Sequence, residues 1–380
     1  MPYFNYSIHA RDAGSASYWD RRAFLKAWGS LYKDDSRWTP PDYGRLRREL
    51  DPRQNAHLAR LETTLITIDA MHRTGLNRSR TDQQEIPLTS VFERILVAAV
   101  MVIDPRRKGK TAHLALPHFA SDKEAFDMLY YHLVETLSAR GYHRVITPTG
   151  LSPHLGSGLL VDSWDERPPL HTPSNPPYLP ELIETRFRPM QEGRLYYIDL
   201  PAQLPERPNG PAAIQPFDPS RLATDLLPLL AAATENPTAA FPPPDAAEAA
   251  FLLRVLGQKN MFGLLAEVNG EAAGFVLAGP DDNRQWGRHG LPGVMARPSG
   301  TQRRLGGRVF FAGVLPGWRR QGIGAQLWEA LHLRAVASQW QTLVAGPLWR
   351  PASGESPAET FLARRGAVPR QIYQLYERLF

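Results

Sequence analysis

The segment Gly313–Leu327 joins an apolar strand to a helix through a short glycine-rich loop. At its centre is an Arg-x-x-Gly-x-Gly motif formed by Arg319, Gly322 and Gly324. The first backbone N–H groups of a helix have no intrahelical partner and lie at the positive end of the helix dipole, so they bind phosphate groups well. Glycine lets the main chain approach such an anion closely. The segment therefore predicts a loop that holds a pyrophosphate without a metal ion.

Two other phosphate-binding motifs do not fit this segment. The third glycine and the later acidic residue of a dinucleotide fingerprint are missing, and so is the Gly-Lys-Ser/Thr of a Walker loop. An ordinary glycine-rich turn is the structural alternative. The flanks favour the binding loop, because Arg308–Val314 is typical of a buried strand and the apolar residues after the loop share one helical face. Those residues are Ile323, Leu327, Ala330, Leu331 and Val336.

At these positions the chain resembles the GNAT superfamily of acyl-CoA-dependent N-acetyltransferases, whose signature is Arg/Gln-x-x-Gly-x-Gly/Ala after a strand. A second block follows in the family's order, with a strand at Thr342–Pro347 and a short helix within Ala358–Ala367. The resemblance implies acetyl-CoA as cosubstrate, with the thioester carbonyl on a main-chain N–H near the end of the strand, that of Val314. The implied coenzyme-binding residues are Ala312, Gly313, Val314, Arg319, Arg320, Gln321, Gly322, Ile323, Gly324 and Ala325.

The residues that move protons in this family are not matched. By register, the position of a common Asn falls on Glu355, and that of a common Tyr acid falls on Leu362. Acyl transfer to an amine needs a proton acceptor for the amine and a proton for the thiolate. Our catalytic candidates are Glu267, Glu355 and Tyr373, with Tyr376 beside the last. Each has a structural alternative: a solvated hairpin carboxylate, a carboxylate at a helix N-terminus, or a packed strand aromatic.

The chain has 380 residues, which fits two domains of ordinary size. A proline-rich passage suggests a linker at 201–212, between a first domain at 1–200 and a second at 213–380. In the second half, the sequence predicts a strand, two helices and a hairpin before the phosphate-binding loop. These elements are Ala213–Phe217, Arg221–Ala233, Asp245–Leu256 with Asp245 as N-cap, and Phe262–Val268 with Ala272–Ala278 around Asn269-Gly270. An insertion at Gly279–Gly307 is predicted to be a loop.

The first half repeats this rhythm. Its predicted elements are strands at Phe92–Ile103, Ala112–Leu116 and His143–Thr147, a helix at Asp122–Arg140 and a last strand at Tyr196–Leu200. Where the phosphate loop should stand, Leu116–Asp122 has no glycine. We therefore predict an α/β (α+β) fold of two tandem GNAT-like domains, each with a mixed, mostly antiparallel central sheet flanked by helices, the first lacking the coenzyme site. The segments Tyr32–Pro41, Gly158–Trp164 and Asn175–Tyr178 also resemble the N-terminal portion of large bacterial acetyltransferase-like proteins of unassigned substrate.

Composition excludes several classes of function. The chain has no cysteine, so it has neither disulfides nor a thiolate nucleophile. Its histidines, including His289 and His332, stand in no ligand spacing, so we expect no metal. The net charge of +6 comes from scattered arginines, so we expect no specific nucleic-acid partner. The longest apolar run, Ile95–Ile103, is too short to span a bilayer and no signal peptide is evident. We expect a cytoplasmic protein without a membrane partner.

These observations favour an N-acetyltransferase that moves an acetyl group from acetyl-CoA to an amine of a small molecule or peptide by direct attack. Two other classes stay open. One is a non-catalytic acyl-CoA sensor, suggested by the unmatched proton-transfer positions and the degenerate first half. The other is a tandem-fold aminoacyl transferase that takes its donor from tRNA. The sequence leaves the acceptor and the oligomeric state undecided.

Overall fold

The computed structural model describes residues 4–32, 42–72, 92–107, 109–201, 210–218, 221, 225–236, 238–239, 241–257, 261–281 and 305–380. The strands in these ranges are β1 Phe4–Asp12, β2 Glu62–His72, β3 Phe92–Ile103, β4 Thr111–Phe119, β5 Arg144–Thr149, β6 Leu159–Leu160, β7 Arg188–Asp199, β8 Ala213–Pro216, β9 Phe262–Val268, β10 Glu271–Pro280, β11 Leu305–Val314, β12 Trp340–Trp349 and β13 Val368–Leu379. The α-helices are α1 Tyr18–Leu31, α2 Tyr43–Glu49, α3 Ala56–Ala59, α4 Lys123–Ser138, α5 Leu179–Glu184, α6 Leu227–Ala233, α7 Ala246–Leu256, α8 Ile323–Ala337 and α9 Pro357–Ala363.

The strands form one mixed sheet in the order β1-β2-β3-β4-β5-β13-β7-β12-β11-β10-β9-β8, with β6 paired to β13. Two neighbouring pairs, β4 with β5 and β11 with β12, are parallel, and the other pairings are antiparallel. Each parallel pair is connected by a helix, α4 in the first half and α8 in the second. The predicted fold class is confirmed.

Alternating residues of β10 show how the second half is layered. Phe275 and Leu277 belong to a core cluster that includes α6 and α7, whereas Val276 and Ala278 belong to one that includes α8. Successive side chains of a strand point to opposite faces of the sheet. The second half of the sheet therefore lies between α8 on one face and α6 with α7 on the other.

The two halves exchange their last strands. β7, which ends the first half, pairs with β12, and β13, which ends the second half, pairs with β5. β7 and β13 also pair with each other. The division of the chain into domains at 1–200 and 213–380 stays a prediction about sequence duplication, because the sheet itself runs through both halves without a break.

We expect a fragment that lacks residues 1–200 to aggregate. Its β12 loses β7 as a partner, and its β13 loses both β5 and β7. Unpaired strand edges recruit other chains. Size-exclusion chromatography with light scattering, followed by a melting scan, measures this. A monodisperse fragment that melts cooperatively would contradict the expectation.

Several predicted elements differ from the observed ones at their ends. The predicted helix Arg221–Ala233 begins only at Leu227, with Pro228 in its first turn, where proline needs no N–H partner. β7 begins at Arg188 rather than Tyr196, because β12 and β13 flank it on both sides. The insertion Gly279–Gly307 is shorter than predicted: β10 reaches Pro280 and β11 begins at Leu305.

Parts of three predictions lie outside the described residues. They are the insertion over 282–304, which contains His289, the linker over 202–209, and residues 222–224 of the predicted helix. None of the helices that the structure describes is both long and apolar enough to cross a membrane. The described residues also contain no group of three or more His, Cys, Asp or Glu side chains placed to hold a metal ion.

Candidate active site

A cleft opens between β11 and β12. The two strands are paired from Leu305–Trp340 to Val309–Ala345 and no further. Beyond this point β11 stays beside β10 as far as Val314, while β12 stays beside β7. Neighbouring strands that separate in this way leave unpaired backbone groups facing each other. The cleft thus offers main-chain hydrogen bonds to a long, thin ligand.

A β-bulge accompanies the separation. On β10, Leu277 is opposite Phe311 and Ala278 is opposite Val309, so that Phe310 has no counterpart. A bulge bends its strand and re-aims the side chains beyond it. The bulge falls where β11 parts from β12 and therefore helps to open the cleft.

Main-chain N–H groups of β11 point into this cleft. Leu315 donates its N–H to the Ala273 carbonyl at 2.9 Å, toward β10. Along an antiparallel strand, consecutive N–H groups point to opposite sides, so those of Ala312 and Val314 point away from β10. Ala312 is exposed although it lies in the middle of the sheet. These are two donors for a carbonyl held in the cleft.

The predicted phosphate loop lies at the mouth of the cleft. A 3-10 turn at Pro316–Trp318 leads to α8, whose N-cap is Gly322 with φ +82° and no capping side chain. The first hydrogen bond of the helix runs from Gln326 N–H to Gly322 O, at 3.1 Å. The N–H groups of residues 323–325 are therefore free of intrahelical acceptors. A Cβ atom at Gly324 would lie 3.9 Å from Val314 Cγ2, which places the helix end beside the strand end.

The side chains of the loop keep it open. Arg319 donates from Nε to the Val314 carbonyl at 3.0 Å, and Gln321 donates to the Gly317 carbonyl at 3.1 Å. Arg319, Arg320, Gln321 and Gly322 are all exposed. The side chain of Ile323 is buried in the core, so only its backbone is available to a ligand. The predicted coenzyme residues are thus brought together at one end of the cleft.

In the first half, the N-terminus of the corresponding helix is capped by a side chain. α4 begins after Asp122, whose carboxylate accepts from the Ala125 N–H at 2.9 Å. A carboxylate in this position occupies a helix donor and places negative charge where an anion would bind. The N-terminus of α4 therefore lacks the uncapped N–H groups that the N-terminus of α8 offers to an anion.

The comparison with family models falls on the second half. Residues 227–342, from α6 to the start of β12, match the model of the Acetyltransferase (GNAT) family. This part of the chain therefore has the sequence features of a GNAT domain. The matched range includes the cleft-side strand β11, the loop and α8. No curated protein matches the sequence of the chain.

Solved structures show that the GNAT resemblance of the fold extends over the whole chain. A tandem GNAT protein from the clavulanic acid biosynthesis pathway, solved without acetyl-CoA, has a TM-score of 0.57 and 10% identity, covering 98% of both chains. A GCN5-related N-acetyltransferase from Sphaerobacter thermophilus has a TM-score of 0.50 and 13% identity over 98% of this chain and 95% of its own. A GCN5-related N-acetyltransferase from Anabaena variabilis has a TM-score of 0.52 and 10% identity, covering 99% of this chain and 73% of its own.

Two of the three candidates for proton transfer are held away from the cleft of the GNAT domain. Glu267 lies on β9, with β10 between it and β11, and is ion-paired with Arg221 Nη1 at 2.9 Å. Tyr373 on β13 is fully buried and donates its hydroxyl to the Pro173 carbonyl at 3.2 Å. Burial raises the pKa of Tyr373 well above its usual range. Tyr376 donates in the same way to Glu184, at 3.1 Å.

The third candidate, Glu355, lies beside the cleft. It is exposed in the turn between β12 and α9, 3.6 Å from Arg350 Nη2. α9 in turn contacts the coenzyme side, since a Cβ atom at Gly324 would lie 3.7 Å from Phe361. Of the three, only Glu355 combines an exposed carboxylate with this position.

A buried polar group at the same wall of the cleft was not predicted from the sequence. Tyr196 on β7 donates its hydroxyl to Glu359 Oε1 at 2.7 Å, and Arg350 Nε lies 3.2 Å from that oxygen. Burial, together with the bond to Glu359, raises the pKa of Tyr196 to about 12. Glu359 also closes a capping box with Ser356 at the start of α9. Because Tyr196 comes from the first half, only the strand exchange brings it here.

A pocket of about 270 Å³ adjoins this wall, at the ends of β7 and β12. Gln191, Glu192, Thr238 and Arg350 supply its polar lining. Gln191 accepts from Asn236 in the segment between α6 and α7, at 2.9 Å. The pocket is open, and its lining is partly polar and partly apolar.

Proposed function

We propose that the chain is an acyl-CoA-dependent N-acetyltransferase that moves the acetyl group of acetyl-CoA to an amine by direct attack. The observation that carries this proposal is the cleft between β11 and β12, with the open N-terminus of α8 at its mouth and two N–H groups directed inside. Acetyl-CoA has a thioester at one end of a long, thin arm and a diphosphate at the other. Its binding therefore needs N–H donors for the carbonyl inside a cleft and an anion-binding group at the mouth of that cleft. The family match of residues 227–342 supports the same assignment.

The diphosphate would bind at the loop. The N–H groups of residues 323–325 are unpaired within α8, and Arg319 and Arg320 are exposed in the loop that leads to them. Charge-assisted hydrogen bonds from such donors are stronger than neutral ones. The loop supplies this binding without a metal ion.

The thioester carbonyl would accept from the N–H of Val314 or Ala312. Negative charge develops on that oxygen when the amine attacks, and donors fixed in advance stabilise it. A single donor of this kind typically contributes about 10²–10³-fold to the rate. The new C–N bond forms first, the carbonyl then re-forms as the C–S bond breaks, and the leaving thiolate takes up a proton from solvent.

The attacking amine must lose a proton, and Glu355 is our candidate to accept it. Its carboxylate is exposed next to Arg350, which lines the pocket, and can pass the proton to solvent. We assign no proton transfer to the other two candidates, because Glu267 is ion-paired with Arg221 and the hydroxyl of the buried Tyr373 is bonded to the Pro173 carbonyl. The acceptor would enter through the pocket at Gln191 and Thr238.

Calorimetric titration with acetyl-CoA, followed by detection of released thiol with a panel of amines, tests the function. We expect binding and thiol release that depends on the amine. Binding without release under any amine would favour an acyl-CoA sensor. Absence of binding by folded protein would contradict the proposal, and co-purification of tRNA would then favour the aminoacyl transferase.

A further inference from the structure

Arg308 is a buried arginine whose hydrogen-bonding capacity is largely unused. Its side chain lies on β11 and is 2% exposed. Nη2 donates to the Gly346 carbonyl at 3.1 Å, whereas Nε and Nη1 are buried and have no hydrogen-bond partner among the described residues. A guanidinium has five N–H donors, and leaving buried donors unpaired is unfavourable. Such an arrangement is typical of a group that awaits a ligand.

The position of Arg308 relates it to the cleft. Val309, the next residue, belongs to the cluster under α8, so Arg308 lies on the opposite face, with α6 and α7. Val309–Ala345 is the last pair before β11 and β12 separate, and Gly346 follows directly. The guanidinium thus spans the closed end of the cleft on the face opposite the coenzyme loop.

A second unpartnered polar atom lies close by. His171, from the segment between β6 and α5, has a buried Nε2 that no atom in the described part of the chain bonds. Its ring is 5.9 Å from that of Phe310, and the Arg308 guanidinium carbon is 5.2 Å from the same ring. Burial lowers the pKa of His171 to about 3, so its imidazole is neutral at pH 7. Burial also lowers the pKa of Arg308 to about 10, which leaves the guanidinium charged at that pH.

The local charge favours a monoanion. The negative charge of Asp281 favours the charged form of Arg308, while its Oδ1 accepts from the Leu170 N–H at 2.8 Å. Arg308 carries one positive charge and already faces the negative charge of Asp281, so a ligand with one negative charge meets less repulsion there than a ligand with two. The planar donors of arginine also match a carboxylate in shape.

We propose that Arg308 is the receptor for a carboxylate on the amine acceptor, so that the substrate class is amines that carry a carboxylate. This inference rests on the proposed function, because it identifies the acceptor of that reaction. The acceptor's carboxylate binds at the closed end of the cleft, and His171 and Phe310 form the wall beside it. The first half of the chain then contributes directly to acceptor binding, through His171.

The alternative for Arg308 is a purely structural role, and Arg21 is an example of a buried arginine with such a role. Arg21 is 5% exposed and donates to the carbonyls of Ala13 and Ala16 and to Asp51 Oδ2. The Arg21 guanidinium thus bonds two main-chain carbonyls and one carboxylate. The Arg308 guanidinium bonds one main-chain carbonyl. Replacing Arg21 should therefore lower stability strongly, whereas replacing Arg308 should not.

The test compares N-acetylglycine, N-acetyl-phenylalanine and N-acetyl-glutamine with their carboxamides. Each is titrated into the full-length protein, with and without saturating CoA, at constant ionic strength. We expect at least one carboxylate to bind about 30-fold or more tightly than its carboxamide. Arg308→Met should abolish that preference without lowering the melting temperature of the free protein, and Arg308→Lys should weaken it. Arg21→Met is the matched control and should melt earlier.

Equal binding of carboxylates and carboxamides by the wild-type protein would overturn the inference, and this comparison needs no variant to fold. So would a preference that survives in Arg308→Met, or an Arg308→Met protein as unstable as Arg21→Met. The proposed function can fail independently of this inference. If the protein prefers carboxylates but does not bind acetyl-CoA, Arg308 is still a carboxylate receptor and the transferase proposal is wrong. If the protein acetylates amines without preferring carboxylates, the transferase proposal holds and the role of Arg308 is wrong.

Discussion

Replacing Gly322 with glutamine is expected to abolish acetyl-CoA binding while the fold stays intact. Gly322 has φ +82°, and a Cβ atom there would meet nothing within 4 Å. A non-glycine residue in this left-handed conformation costs about 1–2 kcal/mol, which a protein of this size tolerates. The added side chain, however, stands before the N–H groups of residues 323–325. Losing two charge-assisted hydrogen bonds would weaken binding about 100-fold or more.

Gly141→Gln is the matched control for this variant. Gly141 follows α4 in the first half, with φ +72° and equally open space around its Cβ position. Both variants should lose similar stability in urea denaturation, but only Gly322→Gln should lose affinity in calorimetric titration with acetyl-CoA. Unchanged affinity in Gly322→Gln would reject the placement of the pyrophosphate. Loss of affinity in both variants would assign the effect to the fold.

The loop of the GNAT domain was predictable because its signals are local. The apolar strand, the glycines and the amphipathic helix follow one another within fifteen residues of Gly313–Leu327, and α8 begins at Ile323 as the pattern requires. β3 and β9 begin and end where the sequence predicted, and Asp245 caps α7 as expected. Periodicity and capping act over a few residues, so one sequence is enough to detect them.

The strand exchange could not be predicted in this way. β7 and β13 each have the pattern of a last strand in their own half, and the pattern does not say which strands they pair with. Pairing depends on contacts between residues far apart in the sequence. The same limit applies to the wall of the cleft, where Tyr196, Arg350 and Glu359 come from three elements.

One signal for the inferred acceptor site was nevertheless present in the sequence. Arg308 opens an otherwise apolar stretch, Arg308–Val314, in a strand that was predicted to be buried. A charged residue in a buried strand requires a partner. Without the structure, the orientation of Arg308 relative to the phosphate loop was undetermined, and so was the absence of partners for Nε and Nη1.

Replacing Glu248 with leucine is expected to lower the free energy of unfolding by about 3 kcal/mol or more. Glu248 on α7 is 1% exposed and joins the two halves of the chain. Its Oε2 lies 3.1 Å from both Arg60 and Arg106 of the first half, and its Oε1 accepts from Ser152 at 2.9 Å. Leucine would remove one of the three carboxylates that Arg60 and Arg106 contact, the others being Asp104 and Asp245, and it would take from Ser152 the acceptor of its hydroxyl. Removing one member of such a cluster is strongly destabilising.

Glu267→Leu provides the comparison, because Glu267 on β9, next to the edge strand β8, forms its ion pair with Arg221, whose side chain is 44% exposed. Exposed pairs contribute about 1 kcal/mol or less. Urea denaturation of both variants measures the difference, and acetyl-CoA titration at low temperature shows whether the Glu248 variant still binds when folded. A loss no larger than that of Glu267→Leu would mean that the cluster does not hold the halves together. A large loss with retained binding would mean that Glu248 stabilises the joined sheet, on which the exchanged strand β7 and its Tyr196 depend, while the coenzyme site folds as before.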